Sequence, residues 1–327
     1  GWASVILPES YGGLEFGFTG IGVLLQETGR TLTASPLFAT AVVGASAILL
    51  GGTETQREDY LPRLAAGELT LALALEESHH HRPLHVATRA ELKGDSLRLD
   101  GEKCFVLDGH SADLLLVVAR TAGAPGDREG LSVVLVPRDS DGVDCQRTLM
   151  VDSRNAANIR FDNVTLPASA ILGEPGTAGD WLDAVLDRGR VALAAEMLGS
   201  TEEVFDRTVA WLKERVQFGV PIGSFQALQH RASRLQAELE LARSVVLQAL
   251  ATVDDNPQQL ALVASLAKAQ LNELVKLATN EAVQLHGGIG VTDELEIGFF
   301  LKRARVTMQI LGDTGFHKDR YASIEGY

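Results

Sequence analysis

Long apolar runs, cysteines and basic residues are all scarce in this sequence of 327 residues. No apolar run reaches the ~20 residues that a membrane-spanning helix needs. The two cysteines, Cys104 and Cys145, are too few for a disulfide framework and are typical of proteins from a reducing cytosol. The formal net charge of −14 argues against a nucleic-acid partner, because phosphate binding needs concentrated Lys and Arg. We therefore expect a cytoplasmic protein with no membrane span and no nucleic-acid partner.

The hydrophobic periodicity changes twice along the chain and predicts an α+β multidomain protein. Residues 1–70 have helical spacing and predict an N-terminal helical domain; because the chain starts at Gly1 rather than Met, we expect upstream helices to be missing. Residues 71–170 switch to a period of two, as in Leu131–Val136, and predict a middle antiparallel β-barrel domain. Residues 171–327 predict a C-terminal four-helix bundle. Its four amphipathic stretches run from Trp181 to Arg215, Ala227 to Val253, Pro257 to Leu285 and Thr292 to Leu311.

Two glycine-bearing segments stand out within these helical stretches. The first is Arg215-Val-Gln-Phe-Gly-Val-Pro-Ile-Gly-Ser-Phe-Gln-Ala-Leu-Gln-His230, and the second is Gln284-Leu-His-Gly-Gly-Ile-Gly290. Glycine inside a helix costs about 1 kcal/mol relative to alanine, so a close approach of a ligand or a second backbone is the better explanation. A Rossmann phosphate loop is excluded by context, because the second segment follows a helix and contains no G-x-G-x-x-G pattern.

Together, the order of domains and these motifs closely resemble the acyl-CoA dehydrogenase family over essentially the whole chain. The opening Leu7–Gly13 is similar to the family's Pro-Glu-x-x-Gly-Gly turn, and Asp100–Lys103 is similar to the turn before its flavin-contacting strand. The resemblance implies an FAD-dependent oxidoreductase that desaturates an acyl-CoA thioester between its α and β carbons. It also implies a tetramer and an electron-transfer flavoprotein or similar acceptor as redox partner.

The motif residues have the chemistry that FAD needs at its adenosine and pyrophosphate end. An arginine can pair with a phosphate in a forked geometry, a phenylalanine can cover an aromatic ring, and glycines let backbone N–H groups approach closely. In the family these groups reach the FAD of a neighbouring subunit. The alternative is that Arg215 only ends a helix and Gly287-Gly288 only makes a turn. The resemblance assigns cofactor contacts to Arg215, Gln217, Phe218, Gln226, Gln284, Gly287, Gly288, Gly290, Phe105 and Leu107.

The sequence departs from the family at the catalytic base, which must be a carboxylate near the acyl α-carbon. One group of members has this Glu in a turn after the last long helix, where Leu311 stands here. A second group has it directly before an Arg on an earlier helix, where Gly189 precedes Arg190. Asp313 is the nearest substitute base, with a solvated turn carboxylate as the alternative. Asp187 and Arg190 match family positions near the substrate, although an ion pair on a bundle helix would explain both as well.

The expected flavin-ring pocket departs from the family too. Two threonines that commonly offer hydroxyls to the ring are replaced by Leu75 and Leu107, which removes two hydrogen bonds of about 1 kcal/mol each. A glycine-rich loop of the family becomes Ser78-His-His-His-Arg82. Adjacent histidines rarely point at one centre, so we expect no metal site. A phosphate-facing role for Arg82 in substrate binding is the better interpretation.

An intact adenosine end beside an altered ring end indicates a subunit of a heteromeric enzyme. The family includes α2β2 members, which act on steroid side-chain and other bulky acyl-CoA thioesters, and this chain's Ile310–His317 is similar to their Leu-Leu-Gly-x-x-x-His ending. We expect either a homotetramer or an α2β2 heterotetramer in which this chain lacks the base. Two alternatives stay open: a catalytically silent structural subunit that completes a partner's FAD site, and a flavin-dependent monooxygenase on the same fold.

Overall fold

The computed structural model describes residues 1–327 and contains helices at both ends of the chain with a β-sheet between them. The helices are α1 (Gly17–Arg30), α2 (Ala45–Gly51), α3 (Glu54–Ala66), α4 (Leu182–Glu214), α5 (Gln226–Asp255), α6 (Leu260–His286), α7 (Ile297–Thr307) and α8 (Thr314–Glu325). The strands are β1 (Leu71–Ala74), β2 (Arg89–Lys93), β3 (Ser96–Leu107), β4 (Leu114–Arg120), β5 (Leu131–Pro137), β6 (Val143–Leu149), β7 (Asn155–Pro167), β8 (Val216–Gln217) and β9 (Val220–Pro221). This order confirms the predicted fold class. None of the helices combines the length and apolar character needed to span a membrane.

The chain packs into two compact units. The first unit comprises residues 1–17 and 35–189, and the second comprises residues 18–34 and 190–327. Helix α1 therefore belongs with the C-terminal helices, although it lies near the start of the chain. The division into 1–70, 71–170 and 171–327 stays a prediction.

A curled seven-stranded sheet dominates the first unit. Its strands follow the order β1, β4, β2, β3, β7, β6, and β5 pairs with β4. Most neighbours run antiparallel, as predicted, but β1 and β2 both lie parallel to β4. The strand β3 pairs with β7 through two register shifts, and the second lies between Lys103 and Val106. At this irregularity Phe105 has a φ of 53°, which is unusual for a large side chain.

The sheet encloses an apolar core because alternate residues of its strands point to one side. In β3, for example, Leu97 and Leu99 are fully buried while Arg98 between them is exposed. The strands β4 and β5 are buried along almost their whole length. The edge strand β6 is mostly exposed, and its pattern of polar residues did not predict a strand.

The second unit contains α1, α5, α6, α7, α8 and the part of α4 that follows Gly189. The predicted C-terminal helical domain is confirmed, with two differences in detail. The last predicted stretch, from Thr292 to Leu311, is helical only at Ile297–Thr307. The additional helix α8 follows, and its N-terminus is capped by Asp313, whose side chain accepts from the Phe316 N–H at 2.8 Å.

Helices α1 and α4 touch through their backbones, because glycines remove the side chains at the crossing. A Cβ at Gly199 would lie 1.8 Å from the Gln26 carbonyl oxygen, and one at Gly29 would lie 2.0 Å from the Glu196 carbonyl oxygen. Polar contacts flank this crossing: the Gln26 amide donates to Glu202 at 2.7 Å. The second unit therefore depends on α1 for part of its packing.

We expect Gly199→Ala to destabilise the protein by about 1–3 kcal/mol, because a methyl group must push the two helices apart. Gly298→Ala in α7 is the matched control, since no atom lies within 4 Å of its Cβ position. This control should be neutral or stabilising by up to about 1 kcal/mol through helix propensity. Urea denaturation of both variants checks the expectation, and equal effects would contradict it.

Candidate functional site

The two glycine-bearing segments meet at one indole ring in the second unit. The ring of Trp211, in the last turn of α4, stacks on His286 at the end of α6, with centroids 5.2 Å apart and planes 23° apart. The guanidinium of Arg215 lies 5.8 Å from the centroid of the Trp211 indole. His286 belongs to the second segment and Arg215 to the first. The fold thus brings together two motifs that are about 70 residues apart in the sequence.

The first segment forms a hairpin of β8 and β9 that presents a phenylalanine to solvent. Phe218 and Gly219 occupy the turn with φ values of 55° and 82°, the positive values that a type I′ turn requires. The Phe218 ring is 93% exposed and packs edge-to-face against Phe225 with centroids 6.1 Å apart. Val216 and Val220 are exposed as well. An apolar hairpin of this kind is typical of a surface that binds a ligand or another chain.

The glycines of the second segment have two different roles. Gly287 has a φ of 69°, and neither Gly287 nor Gly288 has an atom within 4 Å of its Cβ position. A Cβ at Gly290, in contrast, would lie 2.7 Å from the Val283 carbonyl oxygen. Gly290 is therefore required for packing onto α6, whereas the other two leave an open backbone surface that a ligand can approach.

The residues assigned to the adenosine end of FAD fit that group. Arg215, Gln226 and Gln284 are all exposed and free to donate outward. The Gln217 amide is exposed too, although it donates to the Val216 carbonyl oxygen at 2.7 Å. This end of the site offers positive charge, amide donors and a flat apolar surface, as the cofactor requires.

The residues assigned to the flavin-ring end, Phe105 and Leu107, lie in the first unit on β3, the strand that also carries a buried lysine. Lys103 on β3 is fully buried, and its ammonium donates to Glu77 Oε1 at 2.7 Å and to the Leu75 carbonyl oxygen at 3.0 Å. Glu77 also accepts from the backbone N–H groups of Ala87 at 2.6 Å and Thr88 at 3.0 Å. The backbone carbonyl at the replaced threonine position, Leu75, is therefore already engaged within the chain.

Burial and charge act in opposite directions on this ion pair. Burial lowers the pKa of Lys103 to about 8, even though Glu77 favours its charged form. Burial alone would raise the pKa of Glu77, but the charge and hydrogen bond of Lys103 lower it overall. Lys103 was not predicted to be a site residue. Its spacing from Leu97 and Leu99 nevertheless places it on the inward-facing side of β3 with them, which is unusual for a lysine.

The three adjacent histidines do not converge on one centre. His81 Nδ1 lies 2.5 Å from Glu76 Oε1, whereas His79 and His80 are exposed. No group of three or more His, Cys, Asp or Glu side chains is arranged to hold a metal ion. The Cys104 thiol donates to the Ser78 carbonyl oxygen at 3.3 Å, which fastens this loop to β3. Arg82 at the end of the loop is exposed.

The expected position of the catalytic base lies in a strained turn of the second unit. Leu311 has a φ of 58°, and its carbonyl oxygen accepts from Arg190 Nε and from His317 Nε2, each at 3.1 Å. Asp313, the candidate substitute base, is exposed and uses its carboxylate to cap α8. Asp187 and Arg190 lie on α4 and are both buried.

A second buried lysine, Lys268 on α6, reaches the same turn. Its ammonium donates to Asn272 Oδ1 at 2.7 Å and to the carbonyl oxygens of Thr307 at 2.9 Å and Gly312 at 3.1 Å. Burial and the charge of Arg190 hold the pKa of Lys268 well below its usual value. No motif in the sequence marks Lys268, although a lysine on the apolar face of α6 indicates a special environment.

Comparison with known proteins gives one consistent result along the chain. The profile of the acyl-CoA dehydrogenase N-terminal domain matches residues 1–68, that of the middle domain matches residues 74–164, and that of the C-terminal domain matches residues 180–323. These three profiles follow one another in the order of the helices and strands described above.

Individual proteins are similar over nearly the whole chain. The probable acyl-CoA dehydrogenase YngJ of Bacillus subtilis is 31% identical over 312 residues, which cover 94% of this chain and 82% of that protein. A variant of the Tcur3481-Tcur3483 steroid ACAD has a TM-score of 0.88 and 33% identity, covering 99% of this chain and 85% of its own. A chain in the structure described as the electron transferring flavoprotein of Acidaminococcus fermentans has a TM-score of 0.91 and 27% identity, covering 100% of this chain and 87% of its own.

Removing the anion from the buried ion pair should destabilise the first unit. We expect Glu77→Gln to lower the free energy of unfolding by about 3 kcal/mol at pH 7, because the Lys103 ammonium is left buried without a counter-charge. Glu91→Gln is the matched control: this exposed carboxylate makes only surface ion pairs, each worth less than about 1 kcal/mol. Urea denaturation measures both. Equal losses of unfolding free energy in the two variants would show that the buried ion pair contributes no more than a surface ion pair.

The same pair should give stability a distinct pH dependence. The folded-state pKa of Lys103, about 8, lies below the ordinary value of 10.5, so the unfolded chain binds more protons between these two values. The free energy of unfolding should therefore rise with pH across this range, and Lys103→Met should flatten the rise. Denaturation of both proteins from pH 7 to pH 10.5 tests this. Parallel curves would assign the pH dependence to other groups.

Proposed function

The chain belongs to the acyl-CoA dehydrogenase family of FAD-dependent oxidoreductases, and from this we propose that it is the base-lacking subunit of an α2β2 heteromer. In this assembly an acyl-CoA thioester is desaturated between its α and β carbons. The observation that carries the proposal is the contrast between the residues assigned to the nucleotide and those at the expected base positions. The adenosine-end residues are exposed and available, whereas the base positions hold Leu311 and Gly189.

The proton-transfer step is the reason for assigning a partner subunit. Abstraction of the α-proton needs a carboxylate within hydrogen-bond reach of the carbon. Neither Leu311 nor Gly189 can accept a proton, and Asp313 already accepts from the Phe316 N–H as the cap of α8. A second chain of the same fold that carries the carboxylate therefore supplies the base in this proposal.

This chain's contribution is to hold the nucleotide. Arg215 pairs with the pyrophosphate, Phe218 covers the adenine, and the open backbone at Gly287-Gly288 lets N–H groups approach. Gln226 and Gln284 provide further amide contacts. When bound, FAD accepts the hydride from the acyl β-carbon. Because Phe218 extends from the surface on a hairpin, these contacts fit a cofactor held by a neighbouring subunit better than one held within the chain.

The substrate and the redox partner follow from the resemblance and from the relatives. We infer a bulky acyl group such as a steroid side chain, since one structural relative is named a steroid ACAD under the joint designation Tcur3481-Tcur3483. An electron-transfer flavoprotein is the inferred acceptor. Buried Arg190 and Asp187, together with the exposed Arg82, are the proposed contacts to the acyl-CoA.

One observation favours a second candidate, a silent subunit that only completes its partner's FAD site. The Leu75 carbonyl oxygen is occupied by Lys103, and both ring-facing threonines of the family are leucines here. A chain with this ring pocket could donate nucleotide contacts without binding a flavin ring itself. The two candidates differ in whether this chain's own ring pocket holds a flavin that substrate reduces.

We expect the purified chain alone to bind FAD weakly and to gain a visible flavin spectrum when it is co-expressed with a base-carrying partner of the same fold. In the complex, Arg215→Met should weaken FAD binding about 10- to 100-fold, because a charged hydrogen-bond donor to phosphate is worth about 1.5–3 kcal/mol. Arg234→Met, an exposed arginine on α5, is the matched control.

Titration of the deflavinated complexes with FAD, followed by anaerobic addition of acyl-CoA, decides among the proposals. Equal affinity of the Arg215 and Arg234 variants would remove Arg215 from the site. Flavin in the isolated chain that is bleached by acyl-CoA would show that the chain needs no partner base. One flavin per heterodimer, bound at the partner's ring pocket and reduced by substrate there, would favour the silent subunit.

A further inference from the structure

Lys268 is the most unusual charged group that the proposed reaction does not use. It is fully buried, and no carboxylate lies within ion-pair distance of its ammonium. All three N–H donors of the ammonium are satisfied, by Asn272 Oδ1 and by the carbonyl oxygens of Thr307 and Gly312. Burying a charge without a counter-charge is costly, so stability alone is a poor reason for a lysine at this position.

The carbonyl groups that Lys268 binds lie on both sides of one turn. Thr307 is the last residue of α7, and Gly312 precedes the cap of α8. Between them, the Leu311 carbonyl oxygen accepts from Arg190 and His317, which are also buried. Three buried donors from α4, α6 and α8 therefore turn the carbonyls of this segment towards the interior.

The backbone of the turn is strained and cannot easily relax. A leucine at a φ of 58° lies in the left-handed region, which costs about 1–2 kcal/mol for a residue with a branched side chain. Gly312 follows with a φ of 112°, and a Cβ there would lie 2.6 Å from the Phe316 ring and 2.8 Å from His317 Nε2. Strain that is held in place by several buried hydrogen bonds is typical of functional positions.

We propose that Lys268 is a positioning residue for the Leu311–Asp313 turn and holds it in the conformation that a catalytic carboxylate at position 311 would require. The inference rests on the proposed function, because that function places the family's base at Leu311. In this chain the turn has its hydrogen-bonded support although no carboxylate stands at position 311. The Leu311 side chain, half-buried, then provides an apolar contact for the acyl chain at a fixed place.

Hydrogen exchange of the chain, read by mass spectrometry, tests the positioning role without any cofactor. Lys268→Met has a similar length and no charge, and it should raise the exchange rate of amides in residues 308–316 at least tenfold. Peptides from α5 should be unaffected. Lys276→Met, an exposed lysine on the same helix, is the matched control and should change neither region.

Two results would overturn the positioning role of Lys268. Unchanged exchange in residues 308–316 would show that the turn does not need Lys268, and an equal rise in every peptide would show that Lys268 only stabilises the whole unit. Lys268→Gln is a second variant for the case that Lys268→Met does not fold. It keeps two amide N–H donors, so the exchange rate in residues 308–316 should rise less than in Lys268→Met.

A gain-of-function series in the assembled complex separates this inference from the proposed function. Leu311→Glu should give this chain its own carboxylate and raise the rate of flavin bleaching at its site about 100-fold or more. Adding Lys268→Met should remove at least nine-tenths of that gain, while FAD content stays unchanged and adding Lys276→Met has no effect. A gain that survives Lys268→Met overturns the positioning role. No gain with Leu311→Glu, alongside a local rise in exchange, overturns the base position in the proposed function and leaves the positioning role supported.

Discussion

A buried cation must have its donors satisfied, and this constraint explains how the candidate site is held together. The chain has a net charge of −14, yet several of its cations are inside. Lys103, Arg120 and Lys268 are all fully buried, and each donates to at least one backbone carbonyl oxygen. Arg120 alone binds four carbonyls in two loops. Because carbonyl groups of loops have no regular partners, a multidentate cation is an effective way to fix irregular backbone.

The residues proposed for the adenosine end of FAD, in the second unit, and those proposed for the ring end, in the first, differ in which polar groups remain available. At the adenosine end the polar groups are exposed and the Gly287-Gly288 backbone is open. At the ring end the polar groups bind one another, as in the contacts of Lys103 with Glu77 and Leu75. A chain with both features is well suited to complete a site on a neighbour, since one end offers donors outward and the other is internally saturated.

The regular parts of the fold could be predicted from the sequence because their patterns are local. Leu131–Val136 reads as a strand and forms β5, and the long helices follow their 3.6-residue spacing. The edge strand β6 carries Asp144, Gln146 and Arg147, and only pairing with β7 makes it a strand. The parallel pairing of β1 with β4 and the assignment of α1 to the second unit also depend on contacts between distant residues, which periodicity does not contain.

The motifs of the candidate site could be found in advance, whereas its supporting residues could not. Arg215 and Gly287 belong to segments that contain glycines between helical stretches. Glycine is unfavourable in a helix, so these segments can be recognised in the sequence. Lys103 and Lys268 are single lysines within apolar patterns, and their hydrogen-bond partners are carbonyls that no sequence pattern marks. The expectation that Leu311 stands at the base position rests on the resemblance and stays a prediction, whereas its strained φ is visible only in the backbone.

The membership of α1 in the second unit has a consequence for the order in which the chain folds. Gly29 contacts Glu196, and the Phe18 N–H donates to Asp254 at 2.8 Å, so the closing contacts of this unit span more than 160 residues. During synthesis α1 leaves the ribosome early and must wait until α4 and α5 have been made. Over that interval its contacts with Glu196 and Asp254 cannot form. In the sequence, the helices of the second unit are thus separated by an entire β-sheet that can fold first. The contacts of α1 with α4 and α5 give the chain a high contact order.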